Sequence, residues 1–335
     1  MEKIAFISGG TFIYWSSVML TLAVVTAIAF YASVYLAKGG KVVGLSISVP
    51  VSLVLGLALG RLIHWYSRTD AYASFTAAMT DFSTGGFALA GGFVACIVTA
   101  SVLRLLRVIP SLPKMLDAMA IGGGIGIAVG RLGSMFNTSC RGVAVPDSVG
   151  FPFAYQVVNG VSGVAENRLA TFMLQSMATG TIVAALLVYM LVCQVRKKEL
   201  KDGDVTLMFL LCYGAVQIIC DSTRDDSLYL RSNGFISIVQ ILGLVAMLAP
   251  IVVFSVRMVV NRGFRAWFLL LWVALVGVMG CAAYMEYYVQ RHGGEAAFAY
   301  SVMGICLCAA VVLVLLFRSI GSIHQKKTAH GRFQR

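Results

Sequence analysis

The chain has 335 residues, of which 59% are hydrophobic and only 12% charged, and its formal net charge is +12. A soluble globular domain is about a quarter charged, so this composition excludes an ordinary soluble domain. The apolar residues fall in runs of roughly 18 residues or more, long enough to cross a bilayer as helices that satisfy their own backbone polar groups. The short alternating segments of a lipid-facing β-barrel do not dominate.

The first apolar run covers about 11–37 and ends at Lys38-Gly39-Gly40-Lys41. It has no basic n-region before it and no small-residue cleavage site after it, so it reads as a permanent span, not a removable signal peptide. Further runs follow at about 42–65, 85–106, 115–136, 169–195, 205–220, 236–256, 266–285 and 297–317. The predicted fold class is therefore all-α, a polytopic transmembrane helix bundle. A basic break at 257–265 divides it into a seven-helix core over 1–257 and two additional helices over 258–317. Residues 318–335 form a basic tail.

Basic residues gather in alternate loops: Lys38 and Lys41; Arg104, Arg107 and Lys114; Arg196, Lys197, Lys198 and Lys201; Arg257, Arg262 and Arg265; and the tail. The positive-inside rule places these on the cytoplasmic side, with the N-terminus outside and the C-terminus inside. The net charge is then a topology signal. A nucleic-acid partner would require basic residues gathered on one folded surface, and none is expected. On the opposite side lie the long 137–168 loop, with Pro146 and Pro152, and the 221–235 loop, with Asp221, Arg224, Asp225, Asp226 and Arg231. Long structured loops are where function concentrates.

Three arginines exceed what topology requires. Arg61 falls well inside the second span, Arg131 deep in the fourth, and Arg224 at the outer end of the sixth. An arginine facing lipid at the bilayer centre costs about 2.5–3.5 kcal/mol on the milder scales. These side chains therefore face the protein interior, a partner or water, or else snorkel from a helix end. Guanidinium binds phosphate bidentately while staying charged, and phospholipid head groups are the phosphates available at that depth. The glycines Gly122, Gly123, Gly124 and Gly126 read as close helix–helix packing. Gly130 and Gly133, which flank Arg131, could also let a substrate approach the backbone.

His64 sits beside Trp65 and Tyr66 and reads as interfacial. Six of the eight cysteines lie in apolar runs as small buried hydrophobes; Cys140 and Cys220 are nearer the outer helix ends, where they could pair or react. No metal-ligand spacing appears, and neither a metal nor a cofactor is expected.

The run from Gly130-Arg131-Leu132-Gly133 through Asn137, Ser139 and Cys140 to Arg141-Gly142 resembles the signature of the prolipoprotein diacylglyceryl transferase family. Other pieces fall in order: Tyr14 in the first span, Gly60-Arg61-Leu62 in the second, Gly85-Gly86 and Gly91-Gly92 around the third, Tyr213-Gly214 followed by Asp221 and Arg224, and the run from Gly234 to Gln240. The resemblance covers about 11–257. It departs at Ala90, where the family has histidine, at Ser139 for glutamate, at Ser134 for asparagine, and at Gln217, where arginine is common. The phosphate-binding half of the motif set is kept and the proton-handling half is changed.

The resemblance implies transfer of diacylglyceryl from phosphatidylglycerol to the lipobox cysteine of a prolipoprotein, with the signal peptide and membrane lipids as further partners and the bacterial inner membrane as the location. It assigns catalytic roles to Arg131, Arg224 and Asp221, and substrate contacts to Tyr14, Arg61, Gly91, Gly92, Asn137, Ser139, Gly142 and Gln240. Two other readings stay open. One is a non-catalytic binder of phospholipid or signal peptide on the same scaffold. The other is a small-anion transporter, which would need polar residues along a full path; the inner halves of the spans are nearly uncharged apart from Asp117.

Overall fold

The computed structural model describes residues 4–8, 11–81, 86–137, 141–145, 153–158, 163–229, 236–292 and 296–322. It opens with a small antiparallel hairpin, β1 (Ile4–Ser8) and β2 (Thr11–Tyr14), which runs directly into α1 (Trp15–Ala37). α2 (Val42–Ser67), the short α3 (Phe75–Thr80), α4 (Ala90–Leu105) and α5 (Leu112–Leu132) follow. A second antiparallel hairpin pairs β3 (Ala154–Val158) with β4 (Ala165–Leu169). The chain then continues through α6 (Thr171–Val195), α7 (Asp204–Ser222), α8 (Ile238–Arg262), α9 (Trp267–His292) and α10 (Ala296–Ser322).

Among the described residues, eight helices are long and apolar enough to cross a membrane. The bundle is all-α and polytopic, as composition requires. The third expected span departs from its drawn limits. α4 has 16 residues, about 24 Å at 1.5 Å per residue, short of a hydrocarbon core of about 30 Å. Non-helical backbone at membrane depth needs partners within the protein. The segment before α4 has them: the Ala88 amide donates to the Gly60 carbonyl (3.0 Å) and Arg61 donates to the Gly86 carbonyl (3.0 Å).

The fold divides into two compact units. The first comprises residues 1–209 and 223–239, the second residues 210–222 and 240–335. Lipid tails are as apolar as leucine, so helices in a bilayer associate through close packing and polar contacts. In the first unit the glycines of α5 provide the close packing. A Cβ on Gly122 would fall 2.5 Å from the Ala27 carbonyl oxygen, and one on Gly126 2.8 Å from the Ala27 Cβ. A Cβ on Gly91 would fall 2.1 Å from the Gly60 nitrogen, so α2 and α4 touch backbone to backbone. Polar contacts add to this packing. Tyr31 and Ser48 hydroxyls meet at 2.7 Å between α1 and α2, and the Ser176 hydroxyl donates to the Ala128 carbonyl at 2.6 Å between α6 and α5.

One end of this unit is tied by Asp117. Its fully buried carboxylate accepts from Lys38 Nζ (2.6 Å), the Gly203 amide (2.9 Å), and the amide and hydroxyl of Thr206 (2.8 Å each). A buried carboxylate is tolerated when it is paired and hydrogen-bonded in this way.

In the second unit α7 and α8 cross at a glycine pair, Gly214 against Gly243. α8 also holds the end of α10: the Asn261 side chain donates to the Gly321 carbonyl (2.8 Å) and Arg262 to the Ile320 carbonyl (3.1 Å). Those carbonyls lie in a last turn whose acceptors have no partners within the helix.

Candidate active site

The polar end of the first unit is built by strand pairing. Residues 141–145 run between β4 and the segment after α7. On one side the Gly142 amide donates to the Leu169 carbonyl (2.9 Å), the Leu169 amide to Val143 (3.1 Å), and the Val145 amide to Asn167 (2.8 Å). On the other side Gly142 and Arg224 form an antiparallel bridge, in which the Val143 amide donates to Thr223 (2.9 Å) and the Asp225 amide to Arg141 (2.9 Å). Gly142 and Arg224, far apart in sequence, are thus held together by their backbones. Only glycine fits at 142, because a Cβ there would lie 2.5 Å from both the Leu169 carbonyl oxygen and the Thr171 hydroxyl.

Charged side chains lock this cap. Arg224 Nε donates to Asp226 at 2.9 Å, which fixes the plane of its guanidinium. Arg168 on β4 pairs with Asp225 (2.7 Å) and Glu166 (3.1 Å) and reaches the Gly142 carbonyl (3.4 Å). The hydrogen bond to Asp225, ahead of the Glu166 pairing, lifts the Arg168 guanidinium above its ordinary range. Beneath them the Thr171 and Thr223 hydroxyls meet in a buried contact at 3.3 Å.

Arg131 lies half-buried in the last turn of α5, where a cation complements the helix dipole. Its flanking glycines face α1: Cβ atoms there would meet Ala23 (from Gly130) and Met19 (from Gly133). Asn137, exposed, follows the 3₁₀ turn Gly133–Phe136 that caps α5. Phe136 stacks on Trp15 at 5.9 Å, so the start of α1 and the end of α5 stand side by side. Tyr14, the last residue of β2, is 46% exposed at this start.

Arg61 is placed differently. It is 1% exposed and does not snorkel. Its guanidinium donates to the carbonyls of Ala78, Asp81 and Gly86 and lies over the Tyr72 ring (4.9 Å) and the Phe87 ring (5.4 Å). These contacts hold the α2–α4 connection together. Gly91 is consumed by packing against Gly60, whereas a Cβ on Gly92 would meet nothing within 4 Å.

In the second unit Asp221 is 1% exposed near the end of α7, and Gln240 is buried near the start of α8. The Gln240 amide donates to Glu286 of α9 at 2.8 Å. Of the residues at which the chain departs from the family signature, Ser134 and Gln217 are buried and Ala90 opens α4. Ser139 and Cys140 lie outside the described residues, as does Gly85. Cys220 is buried. Among the described residues no cluster of His, Cys, Asp or Glu could hold a metal ion.

Arg168, Thr171 and Glu286 escape a reading of the sequence. Arg168 sits in a loop whose glycines and prolines obscure its strand alternation, and Thr171 opens α6, where it reads as part of an apolar run. Glu286 is the only acidic residue of α9. A lone carboxylate in a span is by default a functional candidate, but an eighth span drawn to end at 285 leaves it just outside.

The class these features define is a helical membrane protein whose polar end is capped by strands and carries arginines. A family profile described as prolipoprotein diacylglyceryl transferase matches residues 3–256, and the chain belongs to that family. The phosphatidylglycerol–prolipoprotein diacylglyceryl transferase of Finegoldia magna is 27% identical over 258 residues, covering 75% of this chain and 94% of the relative. The protein of the same name from Lactococcus lactis subsp. cremoris is 27% identical over 230 residues (69% and 85%). That of Clostridioides difficile is 24% identical over 253 residues (73% and 92%).

Proposed function

We propose that this chain transfers the diacylglyceryl group of phosphatidylglycerol to the thiol of a lipobox cysteine in a prolipoprotein. The family match over residues 3–256 carries this reading, and the retained Arg131 and Arg224 support it. The cysteine sulfur, as thiolate, attacks the diacylglycerol carbon that bears the phosphate ester. The new C–S bond forms as the C–O bond breaks, and glycerol phosphate leaves with the electron pair; the thiol proton passes to solvent or to an acceptor carboxylate. Arg131 and Arg224 hold the phosphate and stabilise the charge that develops on it. Asp221 is the acceptor assigned here, and pairing with an arginine is its alternative role. Tyr14, Asn137, Ser139, Gly142 and Gln240 contact lipid or signal peptide. The site faces the outer side of the bacterial inner membrane.

The test is purified protein in phosphatidylglycerol-containing micelles with a lipobox peptide, the diacylglyceryl thioether being detected by mass spectrometry. A free thiol has a pKa of about 8.5, so transfer should rise with pH toward that value as the thiolate fraction grows. A flat profile argues against rate-limiting thiol ionisation. The changed residues Ala90 and Ser139 favour a non-catalytic binder as the second reading. No transfer at any pH, with phosphatidylglycerol still bound, would establish it.

A further inference from the structure

We propose that Glu286, on α9, is a positioning residue of the active site, and that α9 and α10 are therefore part of the catalytic machinery although the family match ends before them. The proposal rests on the reading given under Proposed function. Three helices of the second unit meet at this carboxylate, and the fourth holds one of its partners. One of its oxygens accepts from the Ser222 hydroxyl of α7. The other accepts from the Gln240 amide of α8 (2.8 Å) and the Gln290 amide one turn along α9 (3.2 Å). The Tyr300 hydroxyl of α10 donates to the Ser222 carbonyl at 3.2 Å. That carbonyl is one of the last four of α7, which have no acceptor role inside the helix.

Two of the three residues that Glu286 holds bear on the proposed site. Gln240 is a candidate substrate contact. Ser222 follows Asp221 directly, so fixing it fixes the end of α7 that carries that carboxylate. Both Ser222 and Gln240 are buried, and their polar groups would lose a partner if Glu286 were removed. Both oxygens of Glu286 are occupied by donors, which suits the group to holding its neighbours in register. A misplacement of about 1 Å at reacting groups can cost 100-fold in rate.

The test uses the full chain in phosphatidylglycerol micelles with a lipobox peptide, comparing wild type, Glu286→Ala, Glu286→Gln and the exposed control Tyr284→Phe. Glu286→Ala should lower kcat about 10- to 100-fold with KM within about threefold. Glu286→Gln, which keeps an acceptor oxygen and the side-chain volume, should recover part of the loss. Tyr284→Phe should match wild type. Thermal unfolding measures the folded fraction, so rates are compared per folded molecule, and Glu286→Gln decides the matter if Glu286→Ala does not fold. Wild-type kcat in a folded Glu286→Ala or Glu286→Gln protein overturns the proposal alone. A wild-type chain that transfers nothing overturns the functional reading and the proposal with it.

Discussion

Replacing Arg131 or Arg224 by lysine keeps the charge but removes the planar fork that binds phosphate through two parallel hydrogen bonds. Each change should reduce diacylglyceryl transfer at least tenfold in the peptide assay, with folding retained. Arg61→Lys should behave in the opposite way, because that guanidinium spends its donors on the carbonyls of Ala78, Asp81 and Gly86. A lysine cannot span three acceptors. The variant should lose thermal stability, with activity falling only as the folded fraction falls. Equal kinetic defects in all three variants, at unchanged melting temperature, would remove the distinction. The sequence marks all three arginines as costly in a membrane, but it cannot separate a ligand's partner from a backbone clamp. That separation depends on where α3 and the 86–89 segment fold back, which is a tertiary fact.

Most helices could be drawn from the sequence because apolar runs of span length have few alternative explanations. The exceptions have physical causes. β2 abuts α1 without a polar break, so its short alternation merges with the apolar run that starts at Thr11. α4 is shorter than its run because residues before Ala90 are held by Gly60 and Arg61 in non-helical geometry. The glycine-rich stretch of α5 was legible as a packing face, and its geometry gives a graded test. Gly122→Ala places a Cβ against the Ala27 backbone, which cannot yield cheaply, and should cost about 1–3 kcal/mol. Gly123→Ala, whose Cβ meets nothing within 4 Å, should be neutral or stabilising by up to about 1 kcal/mol through helix propensity. Thermal unfolding of the two variants in one detergent measures the contrast; equal shifts would mean that α5 does not pack through Gly122.

At the scale of the whole molecule, orientation follows from the distribution of lysine and arginine among the loops. In a Cys140→Ser background, Val158→Cys, at the exposed last position of β3, should react with an impermeant thiol reagent in intact cells. Lys198→Cys should react only after permeabilisation. The reverse pattern would place the candidate site on the cytoplasmic side. The candidate site is proposed from motif order, and the matched region covers Arg131, Asp221, Arg224 and Gln240. What stayed hidden is what the chain adds beyond it: Glu286 belongs to no motif, and its relevance appears only once α9 lies against Ser222 and Gln240.

The carboxylate of Asp117 has a consequence in time. Two main-chain amides, Gly203 and Thr206, donate to it while Lys38 holds it from the other side. Neither proton can exchange with solvent deuterium until that carboxylate lets go, so one opening event governs both. The two amides should exchange at a common rate, slower than their neighbours in the 196–204 loop, and Asp117→Ala should speed both together. Native-state exchange read by mass spectrometry tests this: a common rate for the two amides means that they open as one cooperative unit, and unequal rates mean that they open separately.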